Sequence, residues 1–504
     1  MIKERPIKKA PEPEITEKPV KLLDYKYYIW FVLIILKCLA VTNLTGFKVI
    51  DYAMAGTLLV FMVINITKPK EMIFLLMAAY FTNIRDWFTT FALVGGEGSR
   101  ILLMDVLILL IMALSFLKIL QDRKFNPFWL QGLLYFLIVF WMFNFVQGIL
   151  GGGGAGYAIG EARMYFGSFI MLIIINLFDG DPMHNFRKTV KIISLCGLNI
   201  FIFVILMSIF GTGEGGEGDR LNPGNSEAEV MVFALLAVIL DFIFKKDYSI
   251  LKISKPLQIG IFLGLIFICG VRAMLGVSLI LIAYFIFVSN KISLGRKVGI
   301  VVGMIAIGAV ALVTPVGQKV FESQAKYIAI MQGKGKSTDD TSAAWRARMW
   351  AIFMDHVLKD NTRIFLGRPF GEEKIDIRAL KWESEELKGG TKVDNSLAHN
   401  DYVSMVMTNG FVFVGLFILV ILMYSLRAII MSRKYNDDLG YFLLFFGWVL
   451  LMQFIQSGTN AEIKHYGFSI SLWWHIGLLA VLYRHIKLLK RNEKSQNIHR
   501  HTVV

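Results

Sequence analysis

Long apolar runs recur along almost the whole chain, and they limit its fold more than any other feature. A helix needs about 20 apolar residues to cross the hydrocarbon core of a bilayer. Fourteen runs reach or approach that length: 27–43, 49–66, 70–84, 101–119, 128–148, 163–179, 190–210, 227–244, 257–271, 273–289, 298–315, 403–426, 440–457 and 466–485. The sequence therefore predicts an all-α polytopic membrane protein with about 14 transmembrane helices, or 12 to 13 if the short third and ninth runs do not cross.

The composition agrees with a membrane protein. Hydrophobic residues make up 56% of the 504 residues and charged residues 18%, whereas soluble domains average about a quarter charged residues. The net charge of +15 does not indicate a nucleic-acid partner, because Lys and Arg collect in the cytoplasmic loops of membrane proteins. Cys38, Cys196 and Cys269 lie in apolar runs, with no spacing typical of disulfides or metal ligands. We expect no metal and no other cofactor.

The basic residues predict the orientation. With the N-terminus inside, every strongly basic short loop falls on the cytoplasmic side, as the positive-inside rule requires. These loops hold Lys68 and Lys70; Arg123 and Lys124; Arg187, Lys188 and Lys191; Lys245, Lys246, Lys252 and Lys255; Lys291, Arg296 and Lys297; Arg433 and Lys434. Both termini are therefore expected in the cytoplasm.

This topology divides the chain into five parts. They are a basic cytoplasmic segment at 1–26, transmembrane helices 1 to 11 at 27–315, a large outer loop at 316–402, transmembrane helices 12 to 14 at 403–485, and a basic cytoplasmic tail at 486–504. The outer loop is too long to be a simple connection. Its stretch 342–359 has helical periodicity, which predicts an amphipathic helix over the outer ends of the bundle. The apolar face of that helix would carry Trp345, Met349, Ile352, Phe353 and Val357.

Three polar segments fall on the predicted outer side, directly ahead of apolar runs. They are GDRLNPGNSEAEV (218–230), CGVRAML (269–275) and LAHNDYVSMVMTNG (397–410). The topology brings Arg220, Arg272 and His399, one from each, to the same membrane face. Arg272 has almost no polar surroundings, and an arginine near hydrocarbon costs a few kcal/mol, so it normally faces a partner or a wet cavity. The alternative is that it snorkels to the interface.

Structural roles also compete for the other two residues. Arg220 lies in a Gly-rich loop, where a solvated surface charge is the ordinary interpretation, and a single histidine such as His399 usually has a structural role. If Asp394, Asn395 or Ser396 caps the following helix, His399 lies in its first turn. There the positive helix end would lower the pKa of the imidazole and keep it able to accept a proton.

Weaker features have simpler interpretations. The stretch GGGGAGYAIG (151–160) lacks the Gly-Lys-Ser/Thr of a phosphate loop, and we interpret it as a flexible connector. Asp86 and Asp105 lie near predicted outer helix ends, where single carboxylates are a weak signal for a metal. Asp241 and His475 are expected to pack inside the bundle.

In these segments the chain resembles the O-antigen ligase and O-antigen polymerase family of membrane glycosyltransferases. LAHNDYVSMVMTNGFVFVGLF (397–417) resembles the family's His-Asn/Ser-x-Tyr-Leu…Glu-x-Gly-x-x-Gly-Leu element, and GVRAMLGVSLILI (270–282) its Ser-Arg-Gly-Ala-x-x-Ala hairpin. RLNPGNSEAEVMVFALL (220–236) resembles its Arg…Pro-Asn segment, and WRARMWAIFMDHVLKDNTRIFLGRPFG (345–371) its Arg-x-x-x-Trp helix and Gly-rich turn. Thr408 stands where the family usually has Glu, and Val271 replaces the Ser before Arg272.

The resemblance implies a fold, an activity and a set of site residues. The fold would be a C-type glycosyltransferase-like bundle in the bacterial cytoplasmic (inner) membrane, with its active site facing the periplasm. The donor would be an undecaprenyl-pyrophosphate-linked glycan, and the acceptor a sugar hydroxyl on lipid A–core or on another lipid-linked glycan. His399 would be the general base and Arg220 and Arg272 would bind the pyrophosphate, with Arg163, Asn400, Tyr402 and Arg346 as supporting residues. A single displacement without a metal would invert the anomeric centre.

Two functions from other classes compete with a transferase. A lipid-linked oligosaccharide flippase would also have about 14 spans, but such transporters tend to show internal repeats and polar groups near the midplane. The sequence shows no clear repeat, and its notable charges lie at the predicted outer helix ends. A channel or scaffold protein would be a third class, and no pore-lining pattern favours it. The sequence does not choose between ligase and polymerase.

Overall fold

Helices make up most of the protein, as the apolar runs predict. In the computed structural model the described residues are 25–42, 48–82, 91–94, 101–122, 129–151, 155–210, 225–248, 253–268, 272–288, 293–295, 297–299, 301–302, 318, 342–371, 375–376, 392–393, 400–458 and 466–502. The helices are α1 Tyr25–Thr42, α2 Lys48–Ile64, α3 Pro69–Phe81, α4 Leu103–Asp122, α5 Trp129–Leu150, α6 Ala155–Leu177, α7 Pro182–Phe210, α8 Asn225–Phe244, α9 Lys255–Ile268, α10 Arg272–Ala283, α11 Ser342–Leu358, α12 Asn361–Leu366, α13 Asp401–Ser432, α14 Asp438–Ser457 and α15 Tyr466–Thr502.

Two short antiparallel ribbons accompany the helices. Strand β1, Ala92–Val94, pairs with β2, Ile101–Leu102, just before α4, and β3, Ile375–Asp376, pairs with β4, Lys392–Val393. A π-helical turn, Tyr284–Val288, continues α10. The fold is therefore a helical bundle with small strand elements only in the described connections.

Six of the described helices are long and apolar enough to cross a membrane. They lie at Leu103–Asp122, Gly132–Leu150, Ala158–Leu177, Pro182–Leu206, Asp401–Ser432 and Asp438–Ser457. Shorter helices occupy other predicted runs; α3 has 13 residues, of which 11 are buried, so it fills the interior of the bundle. The chain is thus a multi-pass helical membrane protein, and the total of 14 spans remains a prediction.

Ion pairs between the helix ends agree with the predicted alternation of the spans. Glu71 at the start of α3 pairs with Lys26 of α1 at 3.4 Å and with Lys188 of α7 at 2.5 Å. Asp438 at the start of α14 pairs with Arg187 of α7 at 2.6 Å and with Lys246 after α8. Lys26, Lys188, Arg187 and Lys246 fall in segments that were predicted on the cytoplasmic side, and the side itself remains a prediction. We call the end where these residues lie the Asp438 end of the bundle, and the opposite one, where α8, α10 and α13 begin, the Asn400 end.

The amphipathic helix of the long loop is present as predicted. Helix α11 spans Ser342–Leu358, and Met349, Phe353 and Val357 on its apolar face are buried. It packs against α13 and α12, which explains why that face is shielded. Asp241 and His475 are also buried, as expected for residues inside the bundle.

One expectation about a connector was wrong. The stretch 151–160 was interpreted as flexible, but α6 begins at Ala155, so its second half is helical. The glycines at 151–154 have no side chains that could pack against other helices. Ala158 and Ala162 of α6, in contrast, are fully buried against them. Packing against neighbouring helices therefore outweighs the low helix propensity of Gly156 and Gly160. Helix α15 continues beyond residue 485 up to Thr502, so the predicted basic tail is helical over most of its length.

Candidate functional site

The predicted site residues lie partly outside the described part of the chain. Arg220 and His399 are outside it, and for Arg272 and Arg346 the backbone is described, at the start of α10 and inside α11, while their side chains are not. The structure describes the helices that contain or follow these residues. Helices α8, α10 and α13 each begin at, or shortly after, one of the three central residues.

The N-terminal end of α10 and the C-terminal end of α14 lie near the same level along the bundle axis. These two helices pack together, and the rings of Tyr284 and Trp448 are 4.8 Å apart. Arg272 is 12 residues before Tyr284 and Gly458 is 10 residues after Trp448. At a rise of about 1.5 Å per residue, these spacings are about 18 Å and about 15 Å. The start of α10 therefore lies near the level of the end of α14 along the bundle axis.

Helix α8 begins at the same level. Gln453 of α14 donates from Nε2 to Oε1 of Glu229 at 2.7 Å. From this contact the first residue of α8, Asn225, is about 6 Å away along the axis, and Gly458 is about 7.5 Å away. The N-terminal ends of α8 and α10 therefore lie side by side around the end of α14. Helix N-termini carry partial positive charge and free N–H groups, which favour anions.

Asn400 fixes the start of α13 at this level. Its Oδ1 accepts hydrogen bonds from the backbone N–H groups of Tyr402 at 2.9 Å and Val403 at 3.2 Å, so Asn400 is the N-cap. Its Nδ2 donates to the carbonyl oxygen of Gly458 at 2.9 Å. The expectation that Asp394, Asn395 or Ser396 caps this helix is therefore wrong. His399 immediately precedes the cap and is not in the first turn.

Tyr402 holds the same turn from its other side. Its hydroxyl donates to the carbonyl oxygen of Phe454 at 2.7 Å, and its ring packs on that of Phe454. Asn400 and Tyr402 thus tie the beginning of α13 to the end of α14. The contacts of these two side chains with α14 fix the position of the chain directly after His399.

A buried polar cluster lies beneath these helix ends, and sequence reasoning missed it. Glu229 is 2% exposed, and Nε2 of Gln453 contacts both Glu229 and Oγ of Ser471, each at 2.7 Å. One turn further along α15, Nδ1 of His475 lies 2.7 Å from the carbonyl oxygen of Ser471. An ionisable side chain at membrane depth is costly and commonly marks a functional site. The only local signal was Glu229 inside the polar start of α8.

Arg163 of α6 pairs with an acidic residue of α4. Its Nη2 is 3.2 Å from Oδ2 of Asp105 of α4, and that carboxylate also accepts from the backbone N–H of Leu102. Asp105 thus forms an ion pair with Arg163, and this ion pair explains the carboxylate without a metal. The supporting role of Arg163 remains a prediction.

Thr408, at the family's usual Glu position, is buried in a polar cluster of α5, α6 and α13. Its Oγ1 lies 3.1 Å from the hydroxyl of Tyr165 and 3.1 Å from the carbonyl oxygen of Ser404. Asn409 donates from Nδ2 to the Tyr165 hydroxyl at 2.5 Å, and Asn144 donates to the carbonyl oxygen of Thr408 at 3.0 Å. The described contacts of Thr408 thus join α13 to α5 and α6.

Fold and site together define a multi-pass helical membrane protein in which α8, α10 and α13 begin at the same end of the bundle. Comparison with protein families matches residues 257–420 to the family described as O-antigen ligase. The resemblance of the motifs to the O-antigen ligase and polymerase family is thereby confirmed, and this domain supports a membrane glycosyltransferase-like function. The matched segment contains Arg272, Arg346, His399 and Thr408, whereas Arg220 and Arg163 lie before it. No curated protein matches the chain.

Proposed function

We propose that the protein transfers a glycan from an undecaprenyl-pyrophosphate-linked donor to a sugar hydroxyl, on the outer face of the bacterial cytoplasmic membrane. The observation that carries this proposal is the O-antigen ligase match over residues 257–420. The acceptor is the sugar of lipid A–core in a ligase, or of another lipid-linked glycan in a polymerase. The donor needs no nucleotide, because its glycan is already activated by the pyrophosphate.

His399 acts as the general base in this proposal. Its imidazole takes the proton of the acceptor hydroxyl while the hydroxyl oxygen forms a bond to the anomeric carbon. The bond between that carbon and the pyrophosphate oxygen breaks, and undecaprenyl pyrophosphate leaves with the electron pair. One displacement inverts the anomeric centre. The position of His399 next to the cap Asn400 supports this role, since the cap fixes the chain there.

Arg220 and Arg272 stabilise the negative charge that grows on the leaving pyrophosphate. A guanidinium group binds phosphate oxygens through two parallel hydrogen bonds and keeps its charge. The level shared by the start of α8, the start of α10 and the end of α14 supports this assignment, because helix N-termini add donors and positive potential for the same anion. Preorganised charge of this kind can supply much of the rate of a transfer reaction.

The break in α13 is a feature that a transporter would also explain. Discontinuous helices line the substrate sites of many transporters, and Gly410 interrupts α13 with φ 69° and ψ 175°. In this protein, however, the break is filled by the chain itself, because a Cβ on Gly410 would lie 2.3 Å from the carbonyl oxygen of Phe365. A filled break favours the transferase over the flippase.

The decisive experiment uses the purified full-length protein in lipid nanodiscs with an undecaprenyl-pyrophosphate-linked glycan. Lipid A–core and a second lipid-linked glycan are offered separately as acceptors. A product on lipid A–core identifies a ligase, and lengthened lipid-linked chains identify a polymerase. If neither forms but the donor crosses the bilayer of sealed vesicles that contain the protein, the proposal is overturned in favour of a flippase.

A further inference from the structure

The break in α13 divides this helix into two parts that need outside partners. Gly410 has a non-helical conformation, which divides α13 into Asp401–Asn409 and the rest of the helix. Carbonyl groups at the end of the first part must then be satisfied by other groups, because hydrocarbon offers no hydrogen bonds. The backbone N–H of Arg368 donates to the carbonyl oxygen of Met407 at 3.0 Å, and Nδ2 of Asn144 donates to that of Thr408 at 3.0 Å.

The partner of the break is a short stretch of the long loop, Asn361–Gly371, which we call the docked segment. The docked segment packs so closely against the bundle that Gly148, Gly367 and Gly410 have no space for a side chain. A Cβ on Gly367 would lie 2.3 Å from the backbone nitrogen of Asn409, and one on Gly148 of α5 would lie 2.0 Å from the carbonyl oxygen of Phe370. Phe370 is fully buried and stacks on Tyr165, with ring centroids 5.6 Å apart and planes 9° apart.

A partly buried ion pair anchors the docked segment to α6, with the Glu161 side chain 21% exposed. Nη2 of Arg368 lies 2.5 Å from Oε1 of Glu161, and Oε2 of Glu161 accepts from the backbone N–H of Gly371 at 2.8 Å. Both carboxylate oxygens therefore bind the docked segment, and the Arg368 side chain is 4% exposed. The removal of one partner of such a pair leaves an uncompensated buried charge, which is strongly unfavourable.

We propose that Glu161 and Arg368 are positioning residues for the reaction at His399, a role that rests on the proposed function. The docked segment holds the Asn409 end of the first part of α13, while Asn400 and Tyr402 hold its other end. The two ends are about 12 Å apart. Without the docked segment, the first part of α13 is held at its Asn400 end and can pivot there, and the pivoting changes the direction in which the chain leaves at His399.

The test compares Glu161→Gln with the wild type in the purified protein. The substitution removes the charge and keeps the size of the side chain. Displacement of a catalytic group by about 1 Å can cost 10²-fold in rate, so we expect kcat to fall by about ten- to a hundredfold. The KM for the lipid-linked donor should change little, because a positioning residue acts on the chemical step. Backbone amides of residues 401–409 should exchange their hydrogens faster by mass spectrometry.

A matched control breaks an ion pair at the other end of the bundle. Asp438→Asn removes the carboxylate that binds Arg187 and Lys246. We expect it to lower thermal stability without a change in kcat or in the exchange of residues 401–409. If Glu161→Gln fails to fold, Arg368→Lys takes its place, because it keeps the charge and loses the fork; kcat should fall and exchange should rise in the same way.

Unchanged kcat together with unchanged exchange over 401–409 in the tested variant overturns the positioning role. Equal effects from Asp438→Asn would also overturn it, since they would mean that any lost ion pair has this result. The failure of the proposed function looks different. The wild type would then transfer no glycan, while the exchange comparison would still show whether Glu161 and Arg368 hold the first part of α13.

Discussion

The side-chain amide of Asn400 bridges two helices at the level of the candidate site, capping α13 with its oxygen and donating from its nitrogen to the carbonyl of Gly458 at 2.9 Å. One residue thus supplies both the start of the helix and its tie to α14. Because His399 is the preceding residue, the tie fixes the backbone from which the proposed base projects.

We expect Asn400→Ala to lower both stability and transfer. The loss of the cap costs about 1 kcal/mol, and the lost bond to Gly458 loosens the first turn. Melting temperature and kcat should therefore fall together. Asp437 provides the control, because its carboxylate caps α14 at the opposite end by accepting from Leu439 and Gly440. Asp437→Ala should lower the melting temperature by a similar amount and leave kcat unchanged; if it lowers kcat equally, the effect of Asn400 is one of general stability.

His399→Ala should abolish transfer while the protein remains inserted in the membrane. The reason is that a sugar hydroxyl is a poor nucleophile until a base within hydrogen-bond reach takes its proton. Lipid-linked glycan should accumulate in cells that carry this variant, which thin-layer chromatography of lipid extracts would measure. Wild-type amounts of glycan product would remove the assignment of His399 as the base.

Arg272→Glu should weaken donor binding, because a carboxylate repels the pyrophosphate that the guanidinium group would bind. Arg272→Lys should lie between the two, since lysine keeps the charge but not the two-pronged geometry. Titration of the protein with undecaprenyl pyrophosphate measures the affinity. Lys464 lies between the apolar runs 440–457 and 466–485, in a loop that the predicted topology places on the outer side. Lys464→Glu should therefore leave the affinity unchanged. Equal affinities for wild type and Arg272→Glu would contradict the pyrophosphate role.

Gly410→Ala should destabilise the protein, whereas Gly415→Ala in the same helix should not. The φ of 69° and ψ of 175° at Gly410 are suited almost exclusively to glycine, with a cost of about 1–3 kcal/mol for other residues. The new Cβ would also collide with the carbonyl oxygen of Phe365. A Cβ at Gly415 meets no atom within 4 Å, and alanine there gains up to about 1 kcal/mol of helix propensity. Equal melting temperatures for the two variants would argue against the break.

The elements set by local pattern could be predicted from the sequence. Apolar length locates α4, α7 and α14, and helical periodicity locates α11 with its buried face of Met349, Phe353 and Val357. The cap of α13 was placed too early, because Asp394, Asn395 and Ser396 are cap residues as good as Asn400. Only the contact with Gly458, on another helix, distinguishes them.

The docked segment could not have been predicted in this way. Gly410 lies in the apolar stretch TNGFVFVG and looks like an ordinary glycine of a transmembrane helix. Its unusual conformation follows from the backbone of Phe365 and Gly367 packing against it. Likewise, Glu161 and Arg368 are 207 positions apart, and nothing near either residue indicates the other. Such pairings depend on the assembled bundle.

The ion pairs at the Asp438 end bear on how the protein is made. Arg187 and Lys246 enter the membrane well before the ribosome reaches Asp438, whose carboxylate binds both of them in the finished bundle. These two ion pairs therefore form only after α14 has been made, whereas Glu71 can pair with Lys26 and Lys188 as soon as α7 is present. The Asp438 end of the bundle is thus closed in two stages, in the order in which its acidic residues are synthesised.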